Sequence, residues 1–596
     1  MWRLEWPEHL GFWRLSTHRN CVHNEIRACR GRVIKETNPP DPECVKVLRM
    51  RAVQLAQLVA HQVRPIRGYM QLIELFPSTK RPGYRRALRN LLNCNLQPKD
   101  WMIKAFVKSE KLKIAERDGD PRMIQARSMS FNLEFGLYTR ALEKALSHLE
   151  DPLAASIGIN LPMIAKGKNL QERACILRQM WDVMDHPVAL SLDLSRWDMH
   201  VGPELISVMH AFYLTLQDDS YFRFLLSKQL KNTAVTQNNL RYKNPAGVTS
   251  GDMTTALGNC VAVIAILETI RSILLASADE IEERISGRPA RPTLKCYRLG
   301  AMAQTGTVSR SSESLFLKLN RMITSYLQEN DRPRRILCER ALPMLFFDDG
   351  DDHVFLVEKE LAPLMKEVLP VWWSGVGHEL KVEGETDEFH QILFCQHKPF
   401  PTEYGWVMSP DPAKVLATST VLTGNNMKQP REYLKTVWTA RALLHQGVPV
   451  MGPTFQCWSR KMWFVGQLSQ ERMARDVQGL YNLLKWNKLL YVRSGINNRI
   501  TPEQRLVFYQ QWGITPDQQK ELEMCMPPSN PRPTIRRQLL KWGGRLREVE
   551  ASISGSVTTS EKYSLMHSIK DILSAMLLVL MSISKRDLPA RLELAA

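Results

Sequence analysis

Apolar and polar positions recur in two rhythms along this chain, and the change from one to the other marks its elements. In "NLEFGLYTRALEKALSHLE" Leu133, Leu137, Leu142, Leu146 and Leu149 return at helical spacing, and "PELISVMHAFYLTL" repeats the pattern with Leu205, Met209, Phe212 and Leu216. "HPVALSLDLS" has period two: Val188, Leu190, Leu192 and Leu194 alternate with Ala189, Ser191 and Asp193, which predicts a half-buried strand with Asp193 late on its polar face. "ALPMLFF" and "HVFLVE" predict a pair of strands around "DDGDD", where Asp-Gly is a strong hairpin signal. The whole reads as mostly helical with strands concentrated in the middle, an α+β chain without internal repeats or long low-complexity tracts.

The turn between those strands carries four aspartates, Asp348, Asp349, Asp351 and Asp352, around Gly350. Like charges so close need compensation. An EF-hand would use a twelve-residue loop, a terminal Glu and flanking helices, none of which is present. Carboxylates crowded at a strand end suit a hard divalent cation, magnesium or manganese. Asp193, on another strand, can share it if the two strands are neighbours.

Length and charge narrow the class. The chain has 596 residues, enough for two to four packed units. With 80 Lys and Arg against 61 Asp and Glu, its net charge of +19 points to a polyanionic partner, nucleic acid or an anionic membrane surface. Eleven cysteines lie scattered without a CxxC pair, which speaks against a disulfide framework or zinc ribbon, and His18, Cys21, His23 and Cys29 match no common finger spacing. The N-terminus lacks the pattern of a signal peptide, and no run of about 20 apolar residues is evident. The longest apolar approach is "DILSAMLLVLMSIS", 571–584, read as a packed helix ahead of an interfacial one.

Three ordered segments sharpen this picture. "DLSRWD" places Asp193 and Asp198 five positions apart, "SGDMTTALGN" holds Ser250, Gly251, Thr255 and Asn259, and "FFDDGDD" supplies Gly350, Asp351 and Asp352. The set resembles motifs A, B and C of the RNA-dependent RNA polymerases of positive-strand RNA viruses. "KAFVKSEKLK" and "GDPRMIQARS" look like the basic motif F, and "ILFCQHKPF" looks like motif E; these wordings are closest to the tombusvirus and carmovirus group. The resemblance covers about residues 80–470.

The resemblance implies a right-hand polymerase: an N-terminal extension (1–80), fingers (81–185), a palm with an antiparallel sheet and interleaved fingers (186–400), and a helical thumb and C-terminal region (401–596). It implies two Mg2+ ions, or Mn2+, at Asp193, Asp351 and Asp352; ribose recognition by Asp198, Thr255 and Asn259; triphosphate binding by Lys104, Lys108, Arg122 and Arg127; template contact by a flexible loop at Ser250 and Gly251; and Lys381 as the proton donor of motif D, with Lys366 as its rival. The implied partners are an RNA template, the product duplex, ribonucleoside triphosphates, and viral or host replication cofactors, with no DNA. The implied setting is replication of a viral genome in the host cytoplasm at membrane-associated complexes, with peripheral attachment and no transmembrane segment in this chain.

Two features depart from the pattern. Asn259 and Asp351 are farther apart than is usual, so a charged, exposed insertion is expected near 277–313, and Asp348 and Asp349 replace the usual approach to the glycine. A reverse transcriptase and a noncatalytic viral RNA-binding protein are the rival readings. The paired Asp198 and Asn259 speak against the first, and the ordered carboxylates against the second.

Overall fold

A computed structural model describes residues 2–3, 15–34, 37–116, 118–244, 247–287, 314–422, 429–462, 465–470, 472–473, 477–486, 489 and 497–524. The apolar segment 571–584 and the segment 288–313 lie outside the described residues.

Helices α1 (Val22–Arg32) and α2 (Pro42–Val59) come first. Pro42 opens α2, and the Asp41 carboxylate accepts from the N–H groups of Glu43 and Cys44. Strands β1 (Ile103–Val107) and β2 (Met123–Ala126) lead to α3 (Met129–Leu146), capped by Ser128, and α4 (Leu170–Asp182), which begins with a reciprocal Asn169–Glu172 capping box. Next come β3 (Pro187–Leu194), α5 (Pro203–Leu216), β4 (Asn232–Thr236), β5 (Arg241–Asn244) and the long α6 (Thr255–Ser286). The hairpin β6 (Met344–Asp348) and β7 (Asp352–Glu358), helix α7 (Ala362–Gly375), β8 (Leu380–Thr386) and a second hairpin, β9 (His397–Thr402) with β10 (Gly405–Pro410), follow. Helices Pro430–Leu444, Met451–Lys461, Pro502–Trp512 and Pro516–Met524 close the described chain.

The central sheet has the order β8-β3-β7-β6, antiparallel throughout. Its core cluster joins the apolar residues of β3, β6 and β7 to those of α2, α5, α6 and α7, and the Trp372 indole on α7 donates to the Ile266 carbonyl of α6 at 3.0 Å. β3 is therefore covered on both faces, where its alternation predicted one: Ala189 and Ser191 are buried as well, and the Ser191 hydroxyl accepts from the Leu393 N–H at 3.2 Å. The chain after β8 folds back over the face that the pattern left for solvent.

Two further expectations change. Helix α6 is long and apolar enough to cross a membrane by length and composition, more so than 571–584, but 94% of its apolar window is buried inside the protein. The start of the expected insertion is no exposed loop either, because α6 runs on through Ser286 with Ser277, Ala278, Asp279 and Ile281 buried. At the centre of α6 the Arg271 guanidinium pairs with Asp151 at 2.5 Å and with Glu268, which balances the charge buried there.

A second sheet, β2-β1-β4-β5, carries the basic segment. It pairs β1 antiparallel to β2 and parallel to β4. The loop before α6 lies against β2: the Gly251 N–H donates to the Gln125 carbonyl at 2.8 Å, and the Ser250 hydroxyl accepts from the Gln125 N–H at 3.1 Å. This loop is docked where a flexible one was expected. A Cβ on Gly251 would meet the Gln125 carbonyl oxygen at 2.5 Å and the Ala126 Cα at 2.8 Å, so glycine serves close approach of two backbones. Gly251→Ala is expected to destabilise the protein by about 1–3 kcal/mol and to loosen this loop. Thermal melting and amide exchange at residues 249–255 check it, and an unchanged melt with unchanged exchange would contradict the packing account.

Candidate active site

The register of the central sheet brings the carboxylates together. Asp193 on β3 stands opposite Asp352 on β7 and opposite Lys381 on β8. Directly opposed residues share a face, with Cβ atoms about 4.5–5.5 Å apart. Asp351 occupies the turn just before β7, and its carbonyl accepts from the Leu194 N–H at 3.3 Å. A bulge after Val382 adds Glu383, an acid that the motifs do not contain and that pairs with Lys381 at 3.2 Å.

Crowding of these groups raises their proton affinity. Burial, then Asp351 and Asp193, push Asp352 up to about 7. Burial, then Glu383 and Asp351, raise Asp193, with Lys381 acting in the opposite direction. Asp198 is pushed up to about 6 by its dense surroundings and by Asp351, against Arg122, Arg32 and Lys108. Its carboxyl still meets solvent in the cleft, so water screens part of that repulsion.

The other two aspartates are neutralised by the fold. Asp349 pairs with Arg173 at 2.8 Å and Lys166 at 3.4 Å, and the Cys395 thiol donates to it at 3.4 Å. Burial works against the Lys166 ammonium, but Cys260, Asp349 and Asp348 hold its pKa above the usual lysine value. Asp348 is fully buried, accepts from the Gly350 N–H at 3.1 Å and contacts the Cys260 thiol; burial raises its pKa well above the usual carboxylate range, with Lys166 acting in the opposite direction. Gly350 adopts φ +96°, which lets the turn reverse between the two pairs.

Among the described residues no three His, Cys, Asp or Glu side chains form a ready-made metal cage. The donor set fits magnesium or manganese of the open kind, which takes one or two carboxylates and completes its shell with water and substrate phosphates.

Asp193, Asp351, Asp198 and Asn259 line one cleft of about 1100 Å3, together with Ser250, Gly251, Thr255, Lys108 and Arg122. Asn259 is buried and its Oδ1 has no partner. The Thr255 hydroxyl donates to the Thr249 carbonyl at 2.6 Å and shapes the start of α6. Glu110 bridges Lys108 at 3.0 Å and Arg122 at 4.0 Å.

Of the remaining candidates Arg127 also borders this cleft, whereas Lys104, Asp352 and Lys381 do not. Lys104 is exposed on β1 and is absent from the cleft wall. Arg127 is buried, with its guanidinium held by Asp252 at 2.7 Å, Asn232 at 2.7 Å and the Trp101 carbonyl at 2.5 Å, so it joins the Ser250 loop to the second sheet. Lys381 is largely exposed beside Glu383, and Lys366 pairs with Glu385 at 2.8 Å.

Five cleft cations, Arg32, Lys80, Arg140, Lys166 and Arg196, escaped the sequence reading. Arg32, from α1, and Arg196, inside "DLSRWD", line the same cleft as Arg122 and Lys108. The Arg32 Nε donates to the Asp120 carbonyl at 3.0 Å, and Arg196 approaches the Asp120 carboxylate at 3.5 Å. Burial, then Arg196 and Arg122, depress the Arg32 pKa, as expected where cations outnumber anions. Arg196 was legible, since it lies between the two acids of its motif; Arg32 is far away in sequence and carried no signal.

With this geometry in view, relatives can be weighed. A family model described as viral RNA dependent RNA polymerase matches residues 9–273 and 335–528, a wider span than the expected 80–470. The RNA-directed RNA polymerase of Melon necrotic spot virus is 27% identical over 460 residues, covering 76% of this chain and 48% of that protein. The enzyme of the same name from Tobacco necrosis virus (strain A) is 28% identical over 466 residues, covering 76% and 53%, and that of Tomato bushy stunt virus (strain Cherry) 25% over 527 residues, covering 86% and 54%. The chain spans about half the length of these relatives. Since the match takes in both strands of the aspartate hairpin, β3 and the Ser250 loop, the chain belongs to the viral RNA-dependent RNA polymerase family.

Proposed function

We propose that the chain performs template-directed RNA synthesis from ribonucleoside triphosphates, replicating a positive-strand viral genome. The observation that carries this reading is the meeting of Asp193, Asp351 and Asp352 at one end of the central sheet, where Asp193 and Asp351 line a cleft rich in cations. The central sheet serves as palm, the second sheet with its basic loop as fingers, and the helices after β10 as thumb. RNA template and product duplex fill the cleft, and viral or host cofactors at cytoplasmic membranes complete the replication complex.

Asp193 and Asp351, supported by Asp352, would hold Mg2+ or Mn2+. The chemistry that two such ions supply is neutralisation of charge between the attacking 3′-hydroxyl and the triphosphate in an in-line displacement. Lys108, Arg122, Arg32 and Arg196 bind and orient the triphosphate. Lys104 and Arg127 support that wall from the sheet. Asp198 accepts, and the Asn259 amide donates, a hydrogen bond at the ribose 2′-hydroxyl, with Thr255 fixing the turn beneath them. Ser250 and Gly251 present backbone to the template. Lys381, next to Asp193, protonates the pyrophosphate leaving group.

Asp351→Ala is expected to lower ribonucleotide incorporation in primer extension on an RNA template by on the order of a thousandfold or more, the rate equivalent of several kcal/mol of lost charge stabilisation. Undiminished incorporation would sink the metal assignment, and preference for deoxyribonucleotides in the intact chain would favour a reverse transcriptase.

Asn259→Ala is expected to reduce the preference for ribonucleotides over deoxyribonucleotides by about 10- to 100-fold, the loss of one buried polar contact. The ratio of kcat/KM for the two substrates measures it; an unchanged ratio would remove Asn259 from sugar recognition.

The raised Asp352 also sets a pH response. A carboxyl titrating at about 7 folded and about 4 unfolded binds more protons in the folded state between those values, so its contribution to metal-free stability is lost as pH rises through that window. The expected outcome is a larger gain in melting temperature on adding Mg2+ at pH 8 than at pH 6, with most of the difference gone in Asp352→Asn. Calorimetry checks it, and equal gains at both pH values would count against a shared cation site.

A further inference from the structure

The cations around Asp349 have no part in the roles assigned so far. Lys166 comes from the loop that leads to α4. That loop runs beside the end of β6, where the Ala165 N–H donates to the Asp348 carbonyl at 2.8 Å and the Asp348 N–H donates to the Met163 carbonyl at 2.9 Å. From this rail the Lys166 ammonium donates to the Asp349 carbonyl at 2.8 Å and pairs with its carboxylate. Arg173, in α4, grips the other carboxylate oxygen, contacts the Cys395 sulfur at 3.5 Å and lies 5.8 Å from the centre of the Phe394 ring. Cys395 and Gln396 both sit at left-handed φ, 51° and 60°, so the turn that opens β9 is held in a conformation costly to L residues. Three segments distant in sequence thus meet on one carboxylate.

The turn itself cannot supply this rigidity. Gly350 stands between Asp349 and Asp351 with no side chain to pack, and a Cβ there would lie 3.3 Å from the Lys166 ammonium nitrogen. We infer that Lys166 and Arg173 are positioning residues that set the place of Asp351 by clamping Asp349, and that the clamp ties the metal turn to the Phe394–Gln396 turn. Besides holding the turn, the clamp draws the Asp349 charge away from Asp351 and Asp352. The inference rests on the reading of Asp351 as a metal ligand.

The test measures Mn2+ binding to the full chain by electron paramagnetic resonance, without RNA, beside primer extension. Lys166→Met and Asp349→Asn are each expected to weaken Mn2+ binding and lower kcat by about 10-fold, within the range for residues that orient metal ligands, while KM for the nucleoside triphosphate changes less than about 2-fold. The double variant is expected to be no worse than the weaker single one, because both remove the same contact. Arg173→Lys, which keeps charge but loses the planar grip, is expected to fall between wild type and Asp349→Asn, and it stands in if Lys166→Met does not fold. Unchanged Mn2+ affinity in folded variants, or additive losses in the double variant, would overturn the clamp. So would loss of Mn2+ binding in Asp349→Asn as complete as in Asp351→Ala with Lys166→Met normal, which would make Asp349 a ligand. Mn2+ binding unaffected by Asp351→Ala would overturn the metal reading itself, a distinct failure.

Discussion

Everything in this active site follows from crowding several carboxylates at one end of a buried strand. β3 is hydrogen-bonded on both sides, so the register leaves Asp193 no choice of neighbours: Asp352 on one flank and Lys381 on the other. Separating these acids would mean breaking the sheet that the core is built on. The repulsion is therefore retained, and burial together with that repulsion raises the proton affinity of Asp193, Asp352 and Asp198. A site that holds unfavourable charge in this way is prepared for a cation.

Much of the surrounding structure limits how far that repulsion spreads. Asp348 is sealed within the core, where burial raises its pKa, and Asp349 is shared between two cations, so Asp351, on the other side of Gly350, is the aspartate of the turn that lines the cleft. Lys108, Arg122, Arg32 and Arg196 are paired with or bonded to Glu110 and Asp120, and the first three also act on Asp198, so cations outnumber the acids beside them in this part of the cleft. Acids and cations thus meet in one cleft, most of them carried there by different elements.

That separation depends on remote attachments. The Lys111 ammonium, three residues from Lys108, donates to the Thr418 and Val421 carbonyls at 2.6 Å each, so the basic loop is tied to the segment after β10. Arg127 fastens the Ser250 loop to the second sheet through Asp252, and Arg32 reaches the cleft only because α1 packs against β1 and β2. A substitution at Lys111 or Arg127 would displace the cleft wall without touching a substrate.

Sequence and structure divide the explanation by range. Period-two and helical patterns located β3, the aspartate hairpin, α3 and α5, because local spacing of apolar residues decides which face is buried. The ordered acids and the Asn259 segment marked the family, since those residue types at those spacings have few other uses. Pattern could not tell that the second face of β3 is covered, that the apolar helix α6 lies in a core, or that Arg127 serves the fold. Nor could it divide the four aspartates of one turn, identical in type and adjacent in position. Their fates were decided by Arg173, Lys166 and Cys260, which lie about 90–185 positions away and meet them only when the chain packs. Local order is written in short-range periodicity, whereas the charge state of a carboxyl depends on whatever distant groups the tertiary fold brings beside it.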